Sequence, residues 1–522
     1  MKISGYFSNR KLLASVFFIA VLISAILLVF SFSIGIYDYD VYDYIEGVFW
    51  AEATLRSASI INPDYLYYYI VPFGSNLIMA PFVLLLGSNL LANQLGMLVY
   101  FLIYLFVLYR LSCLLYKETW MRFVFCAMVS LFVFTYVGDN LLHHLLIYGI
   151  GFVCLLGELS CIIEIHRHHH VGRNLILLSV FCLWSAANGI ASAALANVPI
   201  LLAAVFCAYR SSSIRDRERL ISFLAVIAST LLGLLVYKYL DQQAIAMDKY
   251  QKRFMFADTD AIVSNLFHDL WVDYLKIFYF DPQGVPVFSL QGIYMLIKLF
   301  FALLIPTIPV VLKRSSQNNE DRDLIIYASQ LAFAVCLGQY VFMQTSILRY
   351  LMNGVLSLFV ICSLSFTDHL HQGGNRLLLL GMCLLALLLS YKTLFYTLPY
   401  HQSNMQEYAR ISEVLDDHGL TYGYSLKRHY KVVELLSDSE IRDSVIGYEK
   451  NRIKFHVKKD RIYPEERHKP EDVDRFYIIS EPGSDPAIDA FLESHCIEKI
   501  DAGLATVYIF DIKEWDNMFN EG

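Results

Sequence analysis

The feature that most constrains this chain is a succession of apolar runs, each about 20 residues long, that follow one another almost to residue 398 with short polar breaks between them. A hydrocarbon core about 30 Å thick needs roughly 20 apolar residues per helical crossing. Inside it every backbone N–H and C=O must be paired within the segment, so such runs are read as membrane helices. Apolar residues make up 57% of the chain and charged residues 17%, a balance that excludes a soluble globular protein of this length. The expectation is a polytopic α-helical membrane domain over residues 1–398 and a small soluble α/β domain over 399–522. The first run, Leu12 to Ile36, follows Lys2, Arg10 and Lys11, is too long for a signal peptide and lacks a small-residue cleavage site, so it reads as a retained anchor.

Lys and Arg concentrate in cytoplasmic loops, and the charge clusters here give one consistent path. Arg10 and Lys11 place the N-terminus inside. Residues 37–92 form an external loop, and a run at about 93–115 returns to Arg110, Lys117 and Arg122. Further runs at about 123–137, 141–164, 174–188, 192–209, 220–240, 291–312, 324–344, 350–366 and 377–397 make eleven crossings, with a second external loop over 241–290 and the C-terminal domain outside. Gly138, Asp139 and Asn140 fall in an outer turn on this path. Tyr65 to Gly87 is apolar enough to span but carries Pro72, Gly74, Asn76 and Pro81. Counting it as a crossing would invert everything after it, so it is read as a re-entrant or juxtamembrane segment held by its tyrosines.

After Pro399 the composition turns to mixed charge. Helical periodicity runs from His401 to His418 and stops at Gly419; strands are expected at 421–425, 475–480, 497–500 and 505–512, and helices at 432–436 and 486–495. Residues 448–474 read as a charged loop. No Gly-rich phosphate loop follows a strand, so nucleotide binding has no support. Nine of the ten cysteines lie in apolar runs and there is no CxxC pair, which indicates neither a disulfide framework nor a cysteine zinc site. A net charge of −7 argues against nucleic acid as a partner. The HRHHH tract at 166–170 is read as a solvated cytoplasmic loop.

Several polar groups fall on the external side of this path. Asp38, Asp40 and Asp43 follow the first helix, and Asp43 opens the segment DYIEGVFWAEATLRS, whose Ile45, Val48, Phe49 and Leu55 share one face as in an interfacial helix. These acids either carry chemistry or simply cap that helix. Asp139, His143 and His144 sit at a helix mouth, and the adjacent histidines point to different faces. Arg349 with Tyr350 lies among apolar helices, where an Arg either meets an anion or snorkels to the interface. Lys249, Lys252 and Arg253 precede an aromatic stretch from Trp271 to Phe280, a mixture that suits a lipid phosphate and equally an interfacial anchor.

Helix one, the acidic residues, DYIEGVFWAEATLRS and then NPDYLYYYIVPFGSNLIMAPFVLLLG resemble the first external loop of the polyprenyl-phosphate-sugar-dependent glycosyltransferases of the GT-C superfamily, which includes protein O-mannosyltransferases and the aminoarabinose transferase of lipid A. Asp43 matches the family's helix-opening Asp but lacks its adjacent Glu, so Asp40 and Asp38 stay open as alternatives. Pro63, Tyr67, Tyr68, Leu86 and Gly87 follow in the family's order. The resemblance implies transfer of a sugar from a polyprenyl-phosphate donor to a glycan, lipid or protein acceptor of the cell envelope at the outer face of the membrane. Such a transfer needs one carboxylate to take the acceptor's proton and a cation for the departing phosphate. On that reading Asp43 is the base of an inverting displacement. Arg349, Tyr350, Lys249, Lys252 and Arg253 hold the donor, and Asp139, His143, His144 and Glu52 line the substrate pocket. No cofactor or metal is required; a divalent ion would bind only if Asp40, Asp43 and Asp139 converge. The rival readings are a lipid-linked saccharide transporter, against which the chain shows no internal repeat, and a non-catalytic envelope-assembly subunit.

Overall fold

A computed structural model describes residues 10–31, 41–67, 70–143, 148–211, 216–246, 256–312, 320–343, 348–437, 441–449, 452–455, 468–483 and 485–519. Among these residues, nine helices are long and apolar enough to cross a membrane: Arg10–Phe30, Leu90–Leu115, Gly149–His166, Ile190–Arg210, Arg217–Asp241, Leu290–Val311, Glu320–Phe342, Tyr350–His371 and Arg376–Phe395. The chain is a multi-pass helical membrane protein. Two of the eleven expected crossings are shorter. Thr119–Val129 is α-helical but tightens into a 3₁₀ turn over Ser130–Phe134, and Val171–Ala186 has 16 residues, a length of about 24 Å. The expected outer turn at Gly138–Asn140 is instead part of a helix, Tyr136–His143. Gly138 is required there, because a Cβ would lie 2.6 Å from the backbone of Val133.

The described chain divides into two compact units, residues 1–29, 98–239 and 250–396 in one, and 30–97, 240–249 and 397–522 in the other. In the first, charged helix ends are tied together. Arg10 donates to the carbonyls of Leu370 (3.3 Å) and Gly374 (3.1 Å). Tyr116 donates to Asp368 (3.0 Å), which also pairs with Arg322 (3.0 Å). Arg110 binds Glu164 and Asn174, Arg167 pairs with Asp321, and Arg219 with Glu320.

These ties place residues 10 and 116 at the same end of the first unit's helices. The segment between Phe30 and Met97 belongs to the second unit. Its own helix, Ser75–Leu86, has 12 residues, about 18 Å, too short to span. Before it the chain is extended at β1 (Leu66–Tyr67), which pairs in parallel with β2 (Ile245–Ala246) just beyond the Arg217–Asp241 helix. Pro72 and Gly74 then turn the chain into the short helix.

The second unit carries the soluble domain. A helix from Leu398 to Asp417 leads into a six-stranded sheet of order β5-β4-β3-β6-β8-β7. The central β3 (Tyr422–Ser425) is flanked in parallel by β4 (Arg442–Glu449) and β6 (Arg475–Ser480). β5 (Arg452–Phe455), β7 (Glu498–Asp501) and β8 (Thr506–Asp511) add antiparallel pairings. The α/β expectation holds, but β4 and β5 occupy part of what read as charged loop. Tyr424, Phe476, Ile478, Tyr508, Phe510 and Phe519 form one apolar core against the Pro486–His495 helix.

Candidate functional site

The Val41–Ser57 helix is the spine of the second unit. It does not lie at an interface with one apolar face, as its sequence pattern suggested. Ile45, Glu46, Val48, Phe49, Trp50, Ala51 and Ala53 are all buried, whereas Leu55 is only half-buried. The reason lies in what surrounds it. The chain after Ser57 folds back along the helix: Asn62 donates to the Ala53 carbonyl (3.0 Å), its own N–H is taken by the Tyr67 hydroxyl (2.9 Å), and the Tyr67 ring stands edge-on to Trp50 with centroids 5.6 Å apart. Asn76, at the start of the short helix, donates to Thr54 (3.4 Å) and to the Pro72 carbonyl (3.1 Å). Pro72 lies in the segment whose apolarity mimics a crossing, and its carbonyl serves to fix a turn.

Glu52 organises the far half of this helix. One carboxylate oxygen accepts from Arg442 (2.8 Å) and Arg56 (2.6 Å), and the other accepts from Ser88 (2.8 Å). Gly87 makes the Ser88 contact possible: at φ +80° it ends the Ser75–Leu86 helix, its N–H donating to the Val83 carbonyl (2.9 Å), and turns the next residue back toward Glu52. An L side chain is strained at that φ. Burial pushes the Glu52 carboxyl up, but Arg442, Arg56 and Ser88 outweigh it and hold the group below its ordinary value. Glu52 is thus an ionised acceptor with three of its roughly four lone-pair sites engaged. It clasps β4 of the soluble domain to the first loop.

Around this clasp is a cavity of about 600 Å³ lined by Phe49, Glu52, Ser88, Asn89, Glu434, Ser437 and Arg442, together with apolar residues from Leu86 to Leu91 and from Leu435 to Ile441. Its floor is polar and buried. Lys431 (3% exposed) bonds Glu434 (3.2 Å) and the Asp443 carbonyl (2.7 Å), and its ammonium lies 5.2 Å from the Phe49 ring centroid. Ser425 donates to the buried Asp443 carboxylate. Burial pushes the Glu434 carboxyl up against the pull of Lys431 and Arg442. These bonds tie the cavity floor together.

Of the other candidate residues, Asp38, Asp40, His144, Lys249, Lys252 and Arg253 lie outside the described residues. Asp43 falls in the first turn of the Val41–Ser57 helix, Asp139 and His143 in the Tyr136–His143 helix, and Arg349 at the start of the Arg349–His371 helix; their side chains are likewise outside the description. Tyr350 is half-buried in the first turn of its helix. Sequence reasoning missed Arg442, Glu434, Lys431 and Ser88, whose roles come from a β4 pairing that no local pattern announces. It also took Glu46, one turn after Asp43 and 1% exposed, only as the end of an acidic stretch, although an acid in an otherwise apolar stretch of helix was a readable signal. Among the described residues no group of three or more His, Cys, Asp or Glu is placed to hold a metal ion.

No family model and no curated protein matches this chain. Among solved structures it is similar to the crystal structure of ArnT from Cupriavidus metallidurans in the apo state, with 10% identity, a TM-score of 0.44, and coverage of 94% of this chain and 97% of that one.

Proposed function

We propose that this chain is a membrane glycosyltransferase of the GT-C kind, moving a sugar from a polyprenyl-phosphate donor to a cell-envelope glycan, lipid or protein acceptor at the outer face. The observation that supports this reading is the composition of the second unit. The first loop, with Asp43 on its helix, and the soluble domain together build a polar cavity. A cavity of about 600 Å³ walled by carboxylate, guanidinium, hydroxyl and amide groups suits a sugar, which is recognised by many weak polar contacts.

In this reading Asp43, with Asp40 and Asp38 as alternatives, takes the proton of the acceptor hydroxyl in one in-line displacement. Arg349, helped by Tyr350 and by Lys249, Lys252 or Arg253, holds the lipid phosphate as it leaves. Asp139, His143 and His144 complete the acceptor or sugar pocket. Glu52 acts through Arg442, keeping the guanidinium on the cavity wall.

The test is a purified full-length protein given a polyprenyl-phosphate sugar and a mixture of envelope acceptors, with release of polyprenyl phosphate as the readout. Asp43→Asn is expected to abolish release while expressing normally, and the transferred sugar to have inverted anomeric configuration. Full activity in Asp43→Asn moves the base to another acid, and a product with retained configuration excludes the single displacement. Saccharide carried across vesicles without release of polyprenyl phosphate would mark a transporter instead.

A further inference from the structure

The first unit holds a second polar feature that the proposed reaction does not use. Lys298, two turns into the Leu290–Val311 helix, is 7% exposed, and Lys392, the last residue of the Arg376–Lys392 helix, is half-buried. Both ammonium groups stand against one ring, that of Tyr294, at 4.9 Å and 4.0 Å from its centroid, and the two side chains reach each other. Lys298 also donates to the Tyr279 carbonyl (2.9 Å). An ammonium has three donors, so this leaves donors on both groups unused. Asp281 acts on Lys298 only from a distance and is exposed. No described carboxylate comes within 4 Å of either nitrogen. Two like charges side by side in a membrane helix pair are costly unless an anion joins them.

Between the same two helices runs a groove of about 340 Å³, lined only by apolar side chains: Ile293, Leu296, Ile297 and Phe300 on one, Leu384, Leu385 and Leu388 on the other. Ile293, Leu296, Phe300, Leu384 and Leu388 are 45–57% exposed, so the groove faces lipid rather than the helix core. Cationic head and apolar trough are complementary to a single kind of ligand.

We propose that this groove is a binding site for an anionic glycerophospholipid of the surrounding bilayer, its acyl chain lying along the trough and its phosphate bridging Lys298 and Lys392. The choice of occupant follows from the opening of the groove onto the bilayer itself, where such lipids surround the helices, and from charge: a phosphodiester anion supplies the counter-charge that no described carboxylate gives the two ammonium groups. The site is independent of the reaction proposed above.

The experiment uses the full-length protein, delipidated in a neutral detergent and supplied with dioleoyl phosphatidylglycerol or dioleoyl phosphatidylcholine, with retained lipid read by native mass spectrometry. Phosphatidylglycerol is expected to be held at least about tenfold more tightly. That preference is expected to vanish in Lys298→Met and in Lys392→Met. Leu388→Trp keeps both charges but fills the trough at an exposed position, so it serves where the buried Lys298→Met does not fold, and it is expected to lose the lipid as well. Equal retention of the two lipids overturns the proposal, as does a preference unchanged by Lys392→Met and Leu388→Trp. Displacement of phosphatidylglycerol by farnesyl phosphate at equal concentration would also overturn it, by making the site one for prenyl phosphates.

Discussion

Glu52 shows how far a residue's type underdetermines its task. As an acid in a loop helix it read as a substrate ligand, yet Arg442, from nearly four hundred residues later in the chain, and Ser88 occupy its oxygens. Neutralising it takes the carboxylate from Arg442 and Arg56, and Glu52→Gln is expected to lower stability by about 1–3 kcal/mol, the range for a charged hydrogen bond. The pH dependence follows from its depressed folded value. The clasp's contribution is complete above the unfolded value near 4.5 and is lost as pH falls below it through the folded value. The wild-type thermal midpoint is therefore expected to exceed that of Glu52→Gln by most at neutral pH, with the gap closing toward pH 3. A gap constant over that range would mean that the carboxylate's charge contributes nothing to the clasp. Asp43, by contrast, was picked out through its place at the head of a helix, a local feature that sequence carries; Arg442 was invisible because strand pairing brings it in.

At the scale of elements, what the sequence made legible was what apolar length and local periodicity encode. The long helices, β3, β6 and the Pro486–His495 helix appear where hydropathy and alternation put them. Three elements were misread for physical reasons. The Val41–Ser57 helix looked interfacial because its pattern shows which face is apolar, whereas burial of the remaining faces comes from other segments. The run at about 123–137 was read as one regular helix because apolarity does not reveal the 3₁₀ turn at Ser130–Phe134. β4 was left unassigned because one of its polar residues, Asp443, is buried in a network rather than exposed. The turn at Gly87 offers a test at this scale. Space is open around its α-carbon, so Gly87→Ala costs only the strain of a positive φ, about 1–2 kcal/mol. It is expected to loosen Ser88 from Glu52 and lower the thermal midpoint by a few degrees, while Ser88→Ala, which removes the bond without strain, should lower it less. An equal effect of the two would place the cost in the hydrogen bond alone.

For the whole molecule, the decisive quantity is which side of the bilayer each loop occupies, and the helix-end ties make that a counting argument. Arg10 with Leu370 and Tyr116 with Asp368 put residues 10, 116 and 368 at one end. If one crossing from residue 10 takes the chain away and one brings it back to 116, residues near 90 are expected on the far side. Within the second unit, β1 pairs with β2 and Glu52 with Arg442, which ties the first loop, the segment after the Arg217–Asp241 helix and the soluble domain to one another. The positive-inside bias of Arg10, Lys11, Arg110, Lys117 and Arg122 is the ground for expecting the near side to be cytoplasmic. Single cysteines introduced into a background with the ten natural ones replaced test all three steps in intact cells. Asp64→Cys, Asn89→Cys and Asp485→Cys are expected to react with a membrane-impermeant maleimide, whereas Lys117→Cys and Gln372→Cys should react only after permeabilisation. Labelling of Asn89→Cys together with Lys117→Cys would break the parity and make the short Ser75–Leu86 helix a crossing. Labelling of Asp485→Cys only after permeabilisation would put the soluble domain in the cytoplasm and remove the compartment in which the proposed transfer takes place.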